Sequence, residues 1–108
     1  MGAVVSLGPG KADLLEAINR AGSISAAARD MGMSYRRAWN LIEAMNGDFR
    51  LPLVEKSSGG VGGGGAVVTT AGFEALERYR AIEKKVAKAV RNEIAAFSSL
   101  LKKNSDPN

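Results

Sequence analysis

The sequence predicts a mainly α-helical protein with one small β-hairpin and a long C-terminal helix. Three observations support this fold class. Between residues 22 and 46, helical spacing of apolar residues and capping residues predict two short helices joined by a tight turn. Two short apolar runs then flank a glycine-rich segment, which is typical of a hairpin. After Gly72, apolar residues recur every three or four positions without Pro or Gly as far as Lys102.

The N-terminal segment predicts a strand, a turn and a helix. The apolar run Val4, Val5 and Leu7 ends at residues 8–10, a Gly-Pro-Gly sequence, so we expect an edge strand followed by a turn. Residues 11–20 then predict a first helix, which Gly22 ends. The expected inner face of this helix carries Leu14, Leu15 and Ile18.

Residues 22–46 predict two helices in close contact. Either Ser23 or Ser25 can cap the first, and Gly32 can end it, because glycine adopts the left-handed conformation without steric penalty. Ser34 lies where the N-cap of the second helix belongs. The buried stripe of that second helix comprises Ala38, Leu41, Ile42 and Met45. The order small residue, glycine, small apolar residue, at Ala28, Gly32 and Ala38, resembles the helix-turn-helix signature of DNA-binding proteins.

The side of the second helix that faces away from the stripe carries polar residues. At about 100° per residue, Arg36 and Asn40 point opposite the stripe, and Tyr35 and Trp39 lie on a flank. The second helix of such a motif reads bases in the major groove, where Arg can pair with guanine and Asn with adenine. The candidate base-reading residues are Tyr35, Arg36, Arg37 and Asn40. The alternative is a solvated polar face beside a half-buried Trp39.

The glycine-rich segment lies between two predicted strands. Residues 51–57 predict the first strand and residues 66–68 the second, and six of the eight residues from 58 to 65 are glycine. We expect a hairpin tip, with a free linker as the alternative. Its backbone N–H groups could bind phosphate oxygens. The candidate phosphate contacts are Lys56, Ser57, Gly62 and Gly63.

The last helix is predicted to begin after Thr69, a good N-cap, and to occupy residues 70–103. At 1.5 Å per residue it would be about 50 Å long, more than this small domain can cover. Its apolar stripe is therefore expected to form a dimer interface, comprising Leu76, Tyr79, Val86, Val90, Ile94, Phe97 and Leu101. The alternative is a helix folded back in two pieces on its own core. Residues 104–108 are expected to be a disordered tail.

Composition narrows the possible functions. The net charge of +4 and the pI of about 9.7 favour a polyanionic partner. The chain contains no cysteine and no histidine, which excludes thiol chemistry, the usual zinc sites and histidine acid–base catalysis. We therefore do not expect an enzyme. No stretch is long and apolar enough to cross a membrane, and we expect a cytoplasmic protein.

Together these elements predict a winged helix-turn-helix domain at residues 1–69 with a long dimerisation helix. Four blocks go further than topology: GSISAAA from Gly22, MSYRRAW from Met33, LVE from Leu53 and GGVGGGGAVVT from Gly59. They resemble the N-terminal DNA-binding domain of ModE-type molybdate-responsive regulators and, more distantly, that of LysR-type regulators.

This resemblance implies a dimeric transcriptional regulator that binds a palindromic double-stranded operator. Helix 35–46 would enter the major groove and the wing, residues 57–66, would touch the flanking backbone. It also implies that Ser34, Tyr35, Arg36 and Trp39 lie at the groove. The molybdate-binding domains of full-length ModE proteins have no counterpart in these residues, so no cofactor is expected. The alternative function is a small-oxyanion sensor or a protein-interaction module that uses the glycine hairpin or the long helix.

Overall fold

The computed structural model describes residues 2–57 and 64–102 of the chain. Its elements are helices α1 (Gly2–Ala21), α2 (Ile24–Asp30) and α3 (Tyr35–Asp48), strands β1 (Val54–Ser57) and β2 (Gly65–Val68), and helices α4 (Thr70–Ala89) and α5 (Arg91–Ser98). The two strands pair antiparallel, with Val54 opposite Val68 and Ser57 opposite Gly65. This architecture confirms the predicted fold class, mainly helical with one small hairpin.

The core lies where α1, α2 and α3 meet the hairpin. The predicted inner face of α1 is fully buried, as are Ala38 and Met45 of α3. Ala27 and Ala28 are buried on α2, and their small side chains let α2 pack closely on its neighbours. The buried side chains of the sheet that complete this core are Val54, Ala66 and Val68.

The predicted N-terminal strand is wrong. Residues 4–7 belong to α1, which is interrupted only at Gly8, where φ is 69° and ψ is 164°. Pro9 follows this kink, at a position where its fixed φ suits the start of a helical segment. A strand at residues 4–7 also could not pair with β2 at Ala66. The Ala66 N–H on the outer edge of β2 already donates to the Gly22 carbonyl at 2.9 Å.

The helix-turn-helix forms as predicted. Ser23, rather than Ser25, caps α2 by accepting a hydrogen bond from the Ala26 N–H at 3.1 Å. Gly32 ends α2 with a φ of 67°. Ser34 then caps α3 by accepting from the Arg37 N–H, also at 3.1 Å. These caps fix the angle at which α3 leaves the turn.

Two predicted boundaries shift at the end of α3. The helix runs to Asp48 instead of stopping at Asn46, because Gly47 keeps a negative φ and Asn46 uses its side chain elsewhere. The first strand begins at Val54 instead of Leu51. Pro52 has no N–H to contribute to a strand ladder, which favours a later start.

Helix α4 is attached to the domain at two points. Thr69 caps it by accepting from the Gly72 N–H at 3.0 Å, and the Thr69 hydroxyl donates to the Pro52 carbonyl at 2.7 Å. Directly after Tyr79, α4 contacts α1, where Arg80 binds the carboxylates of Asp13 and Glu16 at 2.7 and 2.8 Å. These contacts fix the direction in which α4 leaves the core.

The predicted uninterrupted C-terminal helix is also wrong in detail. Val90, with φ −108° and ψ 17°, separates α4 from α5. The hydrogen bonds from Val90 N–H to Val86 and from Ile94 N–H to Val90 continue across this point, so the chain does not reverse. The folded-back alternative also fails, because every residue from 91 to 102 is exposed.

Candidate nucleic-acid interface

The N-terminal end of α3 presents a group of polar side chains. Four of the predicted DNA-contacting residues after the cap are exposed, namely Tyr35, Arg36, Arg37 and Asn40. Arg36, Arg37 and Asn40 also line an open depression together with Ser34 and Leu41. The structure therefore brings these predicted residues onto one accessible surface at the start of the second helix of the motif.

Trp39 lies on the flank of this surface. Its ring packs partly against the core, which agrees with the half-buried position considered from the sequence. The remaining ring surface meets Lys56 of β1, whose Nζ lies 4.6 Å from the ring centroid. This distance is within the range of a cation–π contact. Lys56, one of the predicted DNA contacts, thus lies next to the surface of α3.

The other predicted wing residues are placed differently. Ser57 is only half-exposed, and its hydroxyl lies directly over Gly65, where an added Cβ would collide with it. Gly62 and Gly63 lie outside the described residues. The strands β1 and β2 on either side of the glycine-rich segment pair antiparallel, as a hairpin requires, and the predicted tip at residues 58–63 lies outside the described residues.

The cations of the domain differ in whether carboxylates neutralise them. Arg80 is surrounded by Asp13, Glu16 and Glu83, and hydrogen bonds to these carboxylates raise the pKa of its guanidinium. Within residues 2–57 and 64–102, by contrast, none of the cations Arg36, Arg37 and Lys56 forms an ion pair. These three positive charges are available to an anionic partner, whereas that of Arg80 is already compensated.

The sequence did not reveal the role of Asn46, which joins α3 to β1. Its side-chain Nδ2 donates to the Val54 carbonyl at 3.0 Å, and its Oδ1 accepts from the N–H groups of Leu53 and Val54 at 2.8 and 3.3 Å. An Asn between Met45 and Gly47 carries the signal of a helix stop, so nothing local pointed to a bond with a strand.

Both outer edges of the small sheet are therefore held by the helix-turn-helix. Asn46 binds the outer edge of β1, and the Gly22 carbonyl, in the turn between α1 and α2, binds the Ala66 N–H of β2. A two-stranded hairpin is marginally stable alone in water. These bonds attach it to the helices that present the polar surface.

In the described ranges, no three Asp, Glu, His or Cys side chains come together as a metal-binding group. None of the helices there is both long enough and apolar enough to cross a bilayer.

Comparison with known proteins identifies relatives of this chain. The chain is 50% identical over 101 residues to the molybdenum-pterin-binding protein MopB of Rhodobacter capsulatus, which covers 94% of this chain and 35% of MopB. It is 45% identical over 71 residues to the DNA-binding transcriptional dual regulator ModE of Escherichia coli K12, covering 66% of this chain and 27% of ModE. The chain thus spans about a third of the length of these curated relatives, and their names confirm the resemblance to ModE-type regulators.

The family match covers the helices and strands that carry the polar surface of α3 and β1. Residues 11–73 match the model for bacterial regulatory helix-turn-helix proteins of the LysR family, a family of regulators and not of enzymes. The matched region begins in α1, includes α2, α3 and both strands, and ends in the first turn of α4. The chain therefore belongs to the LysR family of bacterial regulatory helix-turn-helix proteins.

Proposed function

We propose that this chain binds double-stranded DNA sequence-specifically and acts as a transcriptional regulator in the cytoplasm. The observation that carries the proposal is the exposed group of Arg36, Arg37 and Asn40 at the N-terminal end of α3, whose two arginines form no ion pair with another described residue. In a helix-turn-helix, this end of the second helix enters the major groove. Family membership and the likeness to a protein named as a DNA-binding regulator support the same function.

The side chains divide into two roles. Arg36 and Asn40 face away from the core and have the donor and acceptor geometry that discriminates guanine and adenine. Ser34, Arg37 and Lys56 lie around them and supply contacts to phosphates, which position the protein but carry no direct base information. Tyr35 and the exposed face of Trp39 border the groove. We extend the phosphate-contacting role to Ser57, Gly62 and Gly63 of the wing.

We further propose that two copies bind a palindromic site. Apolar side chains protrude from the second half of α4 and from the segment after it, where Val86 is 56% exposed and Phe97 is 69% exposed. Ile94 and Leu101 are exposed as well, and a second copy could cover all four. Of the other predicted dimer residues, Tyr79 is buried in the core of the domain and Leu76 packs against that core. These two side chains therefore attach α4 to the domain.

The DNA-binding activity itself requires no cofactor in this proposal. Hydrogen bonds and ion pairs from α3 and β1 are sufficient to read bases and neutralise phosphates. A response to molybdate or another oxyanion is therefore not assigned to the described surface, although relatives carry names that refer to molybdenum.

Binding-site selection tests the function directly. The purified protein is incubated with a pool of random duplexes, and bound sequences are amplified over several rounds. We expect enrichment of one motif with two inverted half-sites. Affinity for that motif should exceed affinity for random duplexes by at least about a thousandfold at physiological salt. A pool that stays random after selection would contradict sequence-specific binding.

A further inference from the structure

We propose that Asn46 is a positioning residue of the DNA-binding surface. Its side-chain amide fixes β1 against α3 and so determines where Lys56 stands relative to the base-reading residues. The inference rests on the proposed DNA-binding function and deepens it, because it assigns a role to a residue that is not expected to touch DNA.

The first argument is the completeness of the Asn46 contacts. Both ends of the amide are used: Nδ2 donates to the Val54 carbonyl, and Oδ1 accepts from the N–H groups of Leu53 and Val54. Residues in an antiparallel pair alternate between bonding their partner strand and facing outward. The amide therefore takes the place of a third strand beside Val54. A side chain with three such bonds to one short segment leaves that segment little freedom to shift.

The second argument is that a further contact lies along the same side of α3. Trp39 precedes Asn46 by seven residues, about two helical turns, and so projects from the same flank. Lys56 follows Val54 by two residues and projects from the same side of β1. The Asn46–Val54 and Trp39–Lys56 contacts thus form two successive points at which β1 lies along α3. From the first point to the second, the strand advances towards the end of α3 that carries Arg36 and Asn40.

The third argument concerns what the apolar packing leaves undetermined. Leu53 and Val54 are buried and hold the start of β1 to the core, but Glu55 and Lys56 are exposed. Apolar contacts are not directional, whereas three hydrogen bonds to one amide specify an orientation. The hydrogen bonds of Asn46 therefore fix the direction in which β1 continues from Val54 to Lys56.

A double-mutant cycle distinguishes this role from a general effect on stability. If Asn46 acts through Lys56, Asn46→Ala should lower affinity for the selected duplex by about fivefold in the wild-type background. The same change should cost less than about twofold when Lys56 is already alanine. Equal losses in both backgrounds would overturn the proposal. Asn40→Ala is the matched control, the same substitution on the same helix, and its effect should add to that of Lys56→Ala.

A second measurement requires no DNA. Trp39 is the single tryptophan of the chain, and Lys56 covers part of its ring. Release of β1 should expose the ring, so acrylamide should quench its fluorescence more strongly in Asn46→Ala than in wild type or Asn40→Ala. If folded Asn46→Ala is quenched no more strongly than wild type, the positioning role is refuted, whatever the DNA-binding measurements show. A wild-type protein that prefers no duplex would instead refute the proposed function, and the quenching result would still stand.

The variant Asn46→Asp keeps the test decisive if alanine impairs folding. It retains an oxygen that can accept from the N–H groups of Leu53 and Val54, and it replaces the donor to the Val54 carbonyl with a carboxylate oxygen that cannot donate and repels that carbonyl. Its quenching and its loss of affinity should lie between those of wild type and Asn46→Ala. Thermal unfolding of each variant establishes the temperature at which all are folded. The effect of Asn46→Asp on affinity should also be measured in both the wild-type and the Lys56→Ala background. Equal losses in the two backgrounds would contradict the proposal.

Discussion

The Lys56 ammonium lies 4.6 Å from the centroid of the Trp39 ring and so joins β1 to the flank of α3. Lys56 remains exposed despite this contact, and no ion pair with another described residue neutralises it. The ring therefore holds a positive charge beside the helix that is proposed to read bases, in a position suited to a phosphate.

Replacing Lys56 with alanine should reduce the salt dependence of DNA binding. Loss of one phosphate contact per subunit lowers the slope of log affinity against log salt concentration by about 0.9 per subunit. Affinity should be measured at several salt concentrations with both the selected and a random duplex, which should weaken by similar factors. Lys84→Ala, an exposed lysine on α4, is the control and should leave the slope unchanged. An unaltered slope in Lys56→Ala would argue against a phosphate contact.

Removing Arg36 or Asn40 should relax sequence selectivity. Each alanine variant should lose about 1–3 kcal/mol of binding free energy for the selected duplex, with a smaller loss for random duplexes. Stability should change little, because both side chains are exposed. Fluorescence anisotropy with single-base variants of the duplex would show which base pair each residue reads. Arg78→Ala, which removes an exposed arginine of α4, should bind like wild type; parallel losses for specific and random DNA would contradict base reading.

Charged residues on the exposed apolar face of α4 and α5 should prevent dimerisation. The double variant Val86→Glu with Ile94→Glu places two carboxylates where a second copy is proposed to pack, and an unpaired charge is costly to bury. Sedimentation at micromolar concentration should show a dimer for wild type and a monomer for the variant. Ala81→Glu, also exposed but off that face, should remain dimeric. A monomeric wild type would disprove the assignment.

Gly72→Ala should destabilise the domain. An added Cβ would collide with the Leu53 carbonyl oxygen and lie 2.7 Å from Val68 Cγ1, so α4 would have to move away from the sheet. We expect a loss of about 1–3 kcal/mol in the free energy of unfolding. Gly47→Ala is the matched control, because it is inside a helix and, apart from the adjacent residues and the backbone of that helix, no atom of the described residues lies within 4 Å of its added Cβ. That variant should gain about 0.5 kcal/mol, and urea unfolding would measure both.

Tyr79 should make the domain less stable at alkaline pH. Burial raises the pKa of its phenol above the ordinary value of 10.0, and the neighbouring Glu83 carboxylate raises it further. The folded state thus favours the neutral phenol, so this contribution is complete below about pH 10 and is lost as pH rises through the raised pKa. Between about pH 9 and 11, unfolding free energy should fall more steeply in wild type than in Tyr79→Phe.

The sequence predicted features that depend on nearby residues more accurately than features that depend on contacts between distant parts of the chain. The caps at Ser34 and Thr69 and the left-handed Gly32 depend on neighbours within a few residues, so they were predicted correctly. The mistaken strand at residues 4–7 shows the limit, because a short apolar run fits a buried helix as well as a strand. The helical backbone at these residues is known only from the folded chain, in which Leu7 is buried in the core.

The same distinction applies to the candidate site. The exposed residues of α3 followed from helical periodicity, whereas the bonds of Asn46 join positions seven and eight residues apart across a turn whose course the sequence does not specify. The interruption at Val90 has neither a proline nor a glycine to indicate it. Both features depend on tertiary geometry, which local patterns do not encode.

The attachment of the sheet at both edges also affects how copies of this chain associate. Strands with unpaired outer N–H and C=O groups are templates for pairing with another molecule, which leads to aggregation or strand exchange. Here Asn46 occupies that position beside Val54, and the Gly22 carbonyl occupies it beside Ala66. At Val54 both outward backbone groups, and at Ala66 the outward N–H, are therefore already bonded when another strand approaches. These bonds therefore oppose pairing of the sheet with a strand of another molecule at Val54 and Ala66.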